Sequence, residues 1–256
     1  MAVTSQTAAD KYFLEGPHSR RSELRFVFRV LAEFIRGFRA LHFVGPCVTV
    51  FGSARFEESH PYYQLARQVG SRLAQLGLTV MTGGGPGLME AANRGAKDTG
   101  GRSIGCNIEL AREQKPNAYL DHHVLMNHFF VRKVLLFKYS YAFVILPGGF
   151  GTMDECFEAL TLIQTGKIHD FPLVVMDRIY WRNLQELLDD MLKAGTISSS
   201  DLQLLYYADS VEDAMTAITT AIRRFGILPR PAPSKILRER GCQPSILTSD
   251  PLRRTL

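Results

Sequence analysis

The chain has 256 residues, of which 46% are hydrophobic and 10% aromatic, enough for one large domain with extensions. No apolar stretch approaches the ~20 residues that span a bilayer, which excludes a helical membrane protein. The net charge of +5 sits at the ends: residues 1–40 carry +3 and residues 229–256 carry +4, leaving −2 for residues 41–228. The centre therefore has no excess charge with which to hold a nucleic-acid polymer.

The first fifteen or so residues read as disordered and show no basic start followed by an apolar block. "SELRFVFRVLAEFIRGFRAL" then gives an amphipathic helix. Leu24, Val27, Phe28, Leu31, Phe34, Ile35 and Phe38 follow helical spacing, and Arg25, Arg29 and Arg36 fall on another face. The expectation is a helix packed on its own domain or on a sister subunit. From Cys47 the pattern becomes alternating. The predicted strands are "CVTVFGSA", "LTVMTGGG", "SIGCNIEL", "HHVLMN", "YAFVILPGG", "FPLVVMD" and "LLYYAD". The predicted helices are "YYQLARQVGSRLAQLG", "GLMEAANRGAKDTG", "FFVRKVLLFKYS", "MDECFEALTLIQTG", "WRNLQELLDDMLKAG" and "VEDAMTAITTAIRRFG". Strand–helix alternation implies a parallel sheet with helices on both faces, and runs such as "AFVIL" suit strands buried on both sides. After Gly226 the chain turns basic and proline-containing. The predicted organisation is an extension over 1–40, a nucleotide-binding α/β domain over 41–228 and a tail over 229–256. Cys47, Cys106, Cys156 and Cys242 share no CxxC spacing and read as reduced thiols of a cytoplasmic protein.

Open parallel sheets bind ligands beyond the carboxyl ends of their strands. Three such ends stand out: Gly52-Ser53-Ala54, Thr82 to Gly87, and Pro147 to Thr152. The last two each open a helix, whose free N–H groups and positive dipole end suit an anion. Ser53 and Thr152 add hydroxyl donors. Neither GxxxxGK[ST] nor GxGxxG occurs: Gly83 and Gly85 lack their third glycine at Leu88, and Gly149 and Gly151 lack theirs at Asp154. The expected ligand is thus a single phosphate group, not a triphosphate or a dinucleotide.

"GGGPGLMEAANRGA" (83–96) and "PGGFGTMDE" (147–155) resemble the two hallmark motifs of the Lonely Guy family, over roughly residues 46–225. That resemblance implies a Rossmann-like fold and hydrolysis of a cytokinin riboside 5′-monophosphate, or of AMP, to free base and ribose 5-phosphate. It implies Arg132 and Glu155 as the catalytic pair, with Gly148, Gly149, Gly151 and Thr152 on the 5′-phosphate. Arg132-Lys133 matches the family's arginine–lysine pair, although Phe129-Phe130-Val131 replaces the plant-type residues ahead of it. Ser53, Thr82, Gly83, Gly84 and Lys133 complete the expected binding set. No cofactor and no metal is expected: His122, His123 and His128 lack a matching cysteine or carboxylate set. The expected partners are a nucleoside 5′-monophosphate and further copies of the chain, without membrane or nucleic acid.

The chemistry is coherent on the residues alone. An N-glycosidic bond breaks through an oxocarbenium-like state, and a carboxylate beside the anomeric carbon stabilises that cation and orients or deprotonates the attacking water. Glu155 sits about one turn into the helix that would hold the phosphate. Asp154 points elsewhere, Glu158 lies a turn beyond, and Glu90 reads as structural. Arg132 is open to three roles: holding the phosphate, orienting Glu155 or stabilising the departing base. Two other classes are compatible with such a sheet. One is a carrier of a nucleotide or of a molybdenum-cofactor-like ligand; the other is a single-stranded DNA binder. The presence of both Arg132 and Glu155 favours the enzyme.

Overall fold

The computed structural model describes residues 16–110 and 115–226. The extreme N-terminus and the tail lie outside the described residues. The elements in chain order are α1 (Arg20–Leu41), β1 (Cys47–Phe51), α2 (Pro61–Gln75), β2 (Thr79–Thr82), α3 (Leu88–Asp98), β3 (Ser103–Ile108) and β4 (His122–Met126). They continue with α4 (Phe129–Tyr139), β5 (Ser140–Ile145), α5 (Phe150–Gln164), β6 (Leu173–Met176), α6 (Arg178–Lys193), β7 (Leu205–Ala208) and α7 (Val211–Phe225). Local chemistry sets several helix starts. Pro61 begins α2 behind His60, whose side chain accepts the Tyr62 N–H. Ser210 and Asp213 form a reciprocal capping box at α7.

The strands form one seven-stranded sheet in the order β4-β3-β2-β1-β5-β6-β7. Every pairing is parallel. The parallel α/β fold expected from the alternation is therefore present. Strand residues alternate between two cores. Val48, Val50, Val80, Ala142 and Val144 face α2, α3 and α7, whereas Cys47, Phe51, Met81, Phe143 and Ile145 face α1, α4, α5 and α6. This is why the strand sequences read as unbroken apolar runs. Burying one such side chain stabilises by about 1.5–3 kcal/mol. The edge strands are the exceptions, with His122, His123 and Leu125 exposed on β4 and Tyr206 on β7.

The chain winds outward from β1 through β4, then returns to pair β5 against the free side of β1. Strand order reverses between β1 and β5, the point of an open parallel sheet beyond whose carboxyl ends ligands generally bind in a crevice. Of the predicted apolar stripe on α1, Phe34 and Phe38 pack inward, while Leu24, Val27, Phe28, Leu31 and Ile35 remain exposed. The side of α1 turned to the domain carries Glu33, Gly37 and Leu41. Among the described residues no helix is long and apolar enough to cross a membrane.

Candidate active site

The turns after β1, β2 and β5 interlock through the Ser53 backbone. Its N–H donates to the Pro147 carbonyl at 3.0 Å, and its carbonyl accepts the Leu88 N–H at 2.9 Å. The Ser53 hydroxyl accepts the Arg55 N–H at 3.2 Å.

The β2–α3 turn is closed by buried side chains. The Thr82 hydroxyl donates to Asn93 Oδ1 at 2.6 Å and accepts the Gly84 N–H at 2.8 Å. The Asn93 amide reaches Ser103 Oγ at 2.8 Å, and Asn117 Nδ2 binds both Asn93 Oδ1 and the Gly85 carbonyl. Gly84 has φ +71° and faces the Asn107 amide, so a side chain there meets both backbone strain and a wall. The hydroxyl of Thr82 is thus engaged inside the turn.

The β5–α5 turn differs. Gly149 caps α5 without any side-chain hydrogen bond, and its carbonyl accepts the Thr152 N–H at 3.0 Å. Among the described residues, a methyl group on Gly149 or Gly151 would meet nothing within 4 Å. Phe150 between them is 97% exposed. Gly148, by contrast, lies under the Thr152 side chain, and its carbonyl accepts the Tyr180 hydroxyl at 2.8 Å. Tyr180 is brought there by α6, whose N-cap Asp177 accepts the Tyr180 N–H.

Glu155 projects from the first turns of α5 and is 2% exposed. Its Oε1 lies 3.8 Å from Arg132 Nη1. Its Oε2 is buried without a hydrogen-bond partner among the described residues. Burial raises the Glu155 carboxyl to about 7 against the opposing pull of Arg132 and Lys133. Arg132 is fixed on its other side, with Nε donating to the Cys106 carbonyl at 2.9 Å. A methyl group on Gly83 would lie 2.7 Å from Arg132 Nη2, so the bare backbone of the β2–α3 turn makes room for the guanidinium. Cys106 is no nucleophile here, because burial pushes its thiol up to about 12. Lys133 pairs with Asp154 at 2.8 Å and with Glu158 at 2.9 Å. Burial works against its charge, but these two carboxylates outweigh it and its pKa is raised.

The structure therefore gathers Arg132, Glu155 and Gly83 around one point and sets Ser53, Gly148 and Thr152 along the adjoining backbone. Lys133 reaches the solvent side of α5, and Thr82 supports the turn from below. Tyr180, Asn93 and Asn117 escaped the sequence reading, because each acts across a fold contact that no motif announces.

A family model described as "Possible lysine decarboxylase" matches residues 89–218. A curated relative from Rhodococcoides fascians, named cytokinin riboside 5′-monophosphate phosphoribohydrolase, is 31% identical over 176 residues, covering 67% of this chain and 88% of the relative. The chain belongs to the Lonely Guy family. A Mycobacterium tuberculosis member with the same name is 32% identical over 157 residues, covering 60% of this chain and 83% of the relative. Among solved structures, the molybdenum cofactor binding protein of Rippkaea orientalis covers 70% of this chain and 98% of its own, with TM-score 0.53 and 24% identity. That likeness shows the shared fold alone.

Proposed function

We propose that the crevice hydrolyses the N-glycosidic bond of a nucleoside 5′-monophosphate, releasing the free base and ribose 5-phosphate. The observation that carries this reading is the buried Glu155, about one turn behind an open glycine cradle and 3.8 Å from Arg132. The names of the relatives describe the same reaction on cytokinin riboside 5′-monophosphates.

The 5′-phosphate occupies the N-terminus of α5, against the N–H groups around Gly149 and Gly151 and the Thr152 hydroxyl. The ribose then lies over the first turns of that helix, with its anomeric carbon towards Glu155. As the carbon–nitrogen bond breaks, its electron pair leaves with the base and positive charge grows on the sugar. The buried carboxylate faces that charge in low-dielectric surroundings, where the interaction is strong. A water attacks the anomeric carbon as the Glu155 carboxylate, whose raised pKa makes it a competent base near neutrality, takes its proton. That proton then passes through solvent to the nitrogen of the departing base, which leaves neutral as Glu155 returns to its carboxylate form. Arg132 holds Glu155 partly ionised and is positioned to take up charge from the departing base or the phosphate. The chain acts as a homo-oligomer in this reading: α4 exposes Phe129, Phe130 and Val134 and α1 exposes Leu24, Val27, Phe28, Leu31 and Ile35, apolar side chains that a second copy of the chain would cover. Light scattering at micromolar concentration that returned a monomer would remove this last element.

The test is chromatographic detection of free base after incubation with AMP, isopentenyladenosine monophosphate, GMP and CMP, beside Glu155→Gln. Base released from one nucleotide and abolished in the variant supports the reading. Binding of a nucleotide in a thermal-shift assay with no base released would replace it with the carrier reading.

A further inference from the structure

Helix α4 delivers Arg132 to the site, yet its own start is poorly provided for. His128 is its N-cap, makes no side-chain cap hydrogen bond, and is followed by no acidic residue in the first turn. A helix start of this kind leaves backbone N–H groups without acceptors and a positive dipole end without a counter-charge.

The N-terminal extension supplies a counter-charge and an acceptor for the first of these N–H groups, that of the N-cap His128. Glu33 of α1 is 2% exposed, and its carboxylate is aimed at the start of α4. Oε1 accepts the Asn127 N–H at 2.7 Å and the His128 N–H at 3.1 Å. Oε2 meets His128 Nδ1 at 2.7 Å and the Asn127 side-chain amide at 3.3 Å. A buried carboxylate is stable only when its lone pairs are matched in this way. The chain of contacts continues to the active site. The His128 carbonyl accepts the Arg132 N–H at 3.1 Å. Arg132 then reaches Cys106 and Glu155. Elsewhere α1 follows α4 closely: Gly37 leaves room for the Leu135 side chain, and the Phe38 carbonyl accepts the Tyr139 hydroxyl at 3.3 Å.

We infer that Glu33 is a positioning residue for the glycosidase, fixing the start of α4 and through it the guanidinium of Arg132. The N-terminal extension is then a working part of the active site, although its residues lie outside the segment matched by the family model. This inference rests on the proposed hydrolase reading for the role of Arg132.

The experiment is a double-mutant cycle on the full chain with Glu33→Ala, Arg132→Ala and the pair, with Glu33→Gln as the conservative variant. Hydrogen–deuterium exchange at the start of α4 is measured on each. Glu33→Ala is expected to speed exchange at Asn127 and His128 and to lower kcat/KM by about tenfold, because small misplacements of a catalytic group are costly. Its division between kcat and KM should follow that of Arg132→Ala. In the Arg132→Ala background it should add less than about twofold, the non-additivity expected of residues acting as one unit. Glu33→Gln, still able to accept the two backbone N–H groups, should keep most of the activity. Losses that multiply in the pair, or full activity despite fast exchange, overturn the inference. So does unchanged exchange. If Glu33→Ala does not fold, the same cycle is run with Glu33→Asp, which retains the charge but draws the carboxylate back. If the wild type releases no base, the hydrolase reading fails on its own. The cycle is then read in AMP affinity, where additive losses again reject a path through Arg132.

Discussion

Two glycine-rich turns flank the crevice, one after β2 and one after β5, and their glycines serve opposite purposes. In the β2–α3 turn the absent side chains leave room for protein atoms: Arg132 beside Gly83, Asn107 beside Gly84 and the Ser53 carbonyl beside Gly87. The turn is a sealed support, cross-linked by Thr82, Asn93, Ser103 and Asn117. In the β5–α5 turn, no atom of another element among the described residues lies within 4 Å of where a side chain on Gly149 or Gly151 would begin. Empty space beside two successive helix-start glycines is what a ligand-facing backbone requires. One turn fixes geometry, while the other is the turn for which we propose the substrate phosphate.

The sharpest way to break this comparison is through the acids behind the two turns. Glu155→Gln should lower base release by about a thousandfold with nucleotide affinity retained, the scale of a lost general base. Glu90→Gln, in the first turn of α3, should change base release less than about threefold, because glutamine keeps an acceptor for the same hydrogen bond. Glu90 only accepts a hydrogen bond from Tyr63, at 3.0 Å. Steady-state kinetics on both variants decides it, and equal losses would erase the distinction between the turns.

The next effect is in pH. The Glu155 carboxyl is raised from 4.5 to about 7 in the folded chain, so the folded state binds the proton more tightly than the unfolded one. Stability should therefore fall as pH rises from about 4.5 to about 7 and level off above, by a total of about 3 kcal/mol. Urea titrations across that range should show this slope in the wild type and lose it in Glu155→Gln. Turnover should rise with pH through about 7 as the carboxylate form appears.

Substituting the glycines tests the comparison directly. Gly84→Ala should destabilise by about 2–3 kcal/mol, combining left-handed strain with the collision against Asn107. Gly151→Ala should leave the urea midpoint within about 0.5 kcal/mol of wild type while raising KM for the nucleotide about tenfold, the consequence of a methyl group in space reserved for phosphate. A stability loss at Gly151 equal to that at Gly84 would mean that both turns are structural.

The contrast between the turns was only half visible in the residues. "AFVIL" followed by "PGGFG" declares a buried strand running into a helix start, because burial on both faces removes all alternation. The packing of the β2–α3 turn was not legible. It depends on Asn93 meeting Asn117 and Ser103, an association made by the fold and not by spacing. β4 gave a weak signal for the opposite reason. As an edge strand it exposes His122, His123 and Leu125, and its short run lacks apolar continuity. On α1 the periodicity was right but the orientation was ambiguous. Apolar residues cover much of the helix circumference, and the side that packs on α4 carries Glu33. An acid on a buried helical face is a signal in hindsight, but only its partners 94 and 95 residues away give it meaning.

The pairing of β1 with β5 has a consequence for how the molecule is made. These strands frame the crevice, and the hydroxyls of Thr49 and Ser140 meet at 2.6 Å across 91 residues of sequence. At roughly 5–20 residues per second of synthesis, β1 waits on the order of ten seconds for its neighbour to emerge. Until then the Val-rich edge of β1 that β5 will cover has no strand beside it, and such an edge invites other chains. A product truncated after β4 would carry that edge permanently and should precipitate. The proposed catalytic site therefore cannot exist until more than half of the chain has been made, since no ribosomal intermediate ending before β5 contains both of its walls.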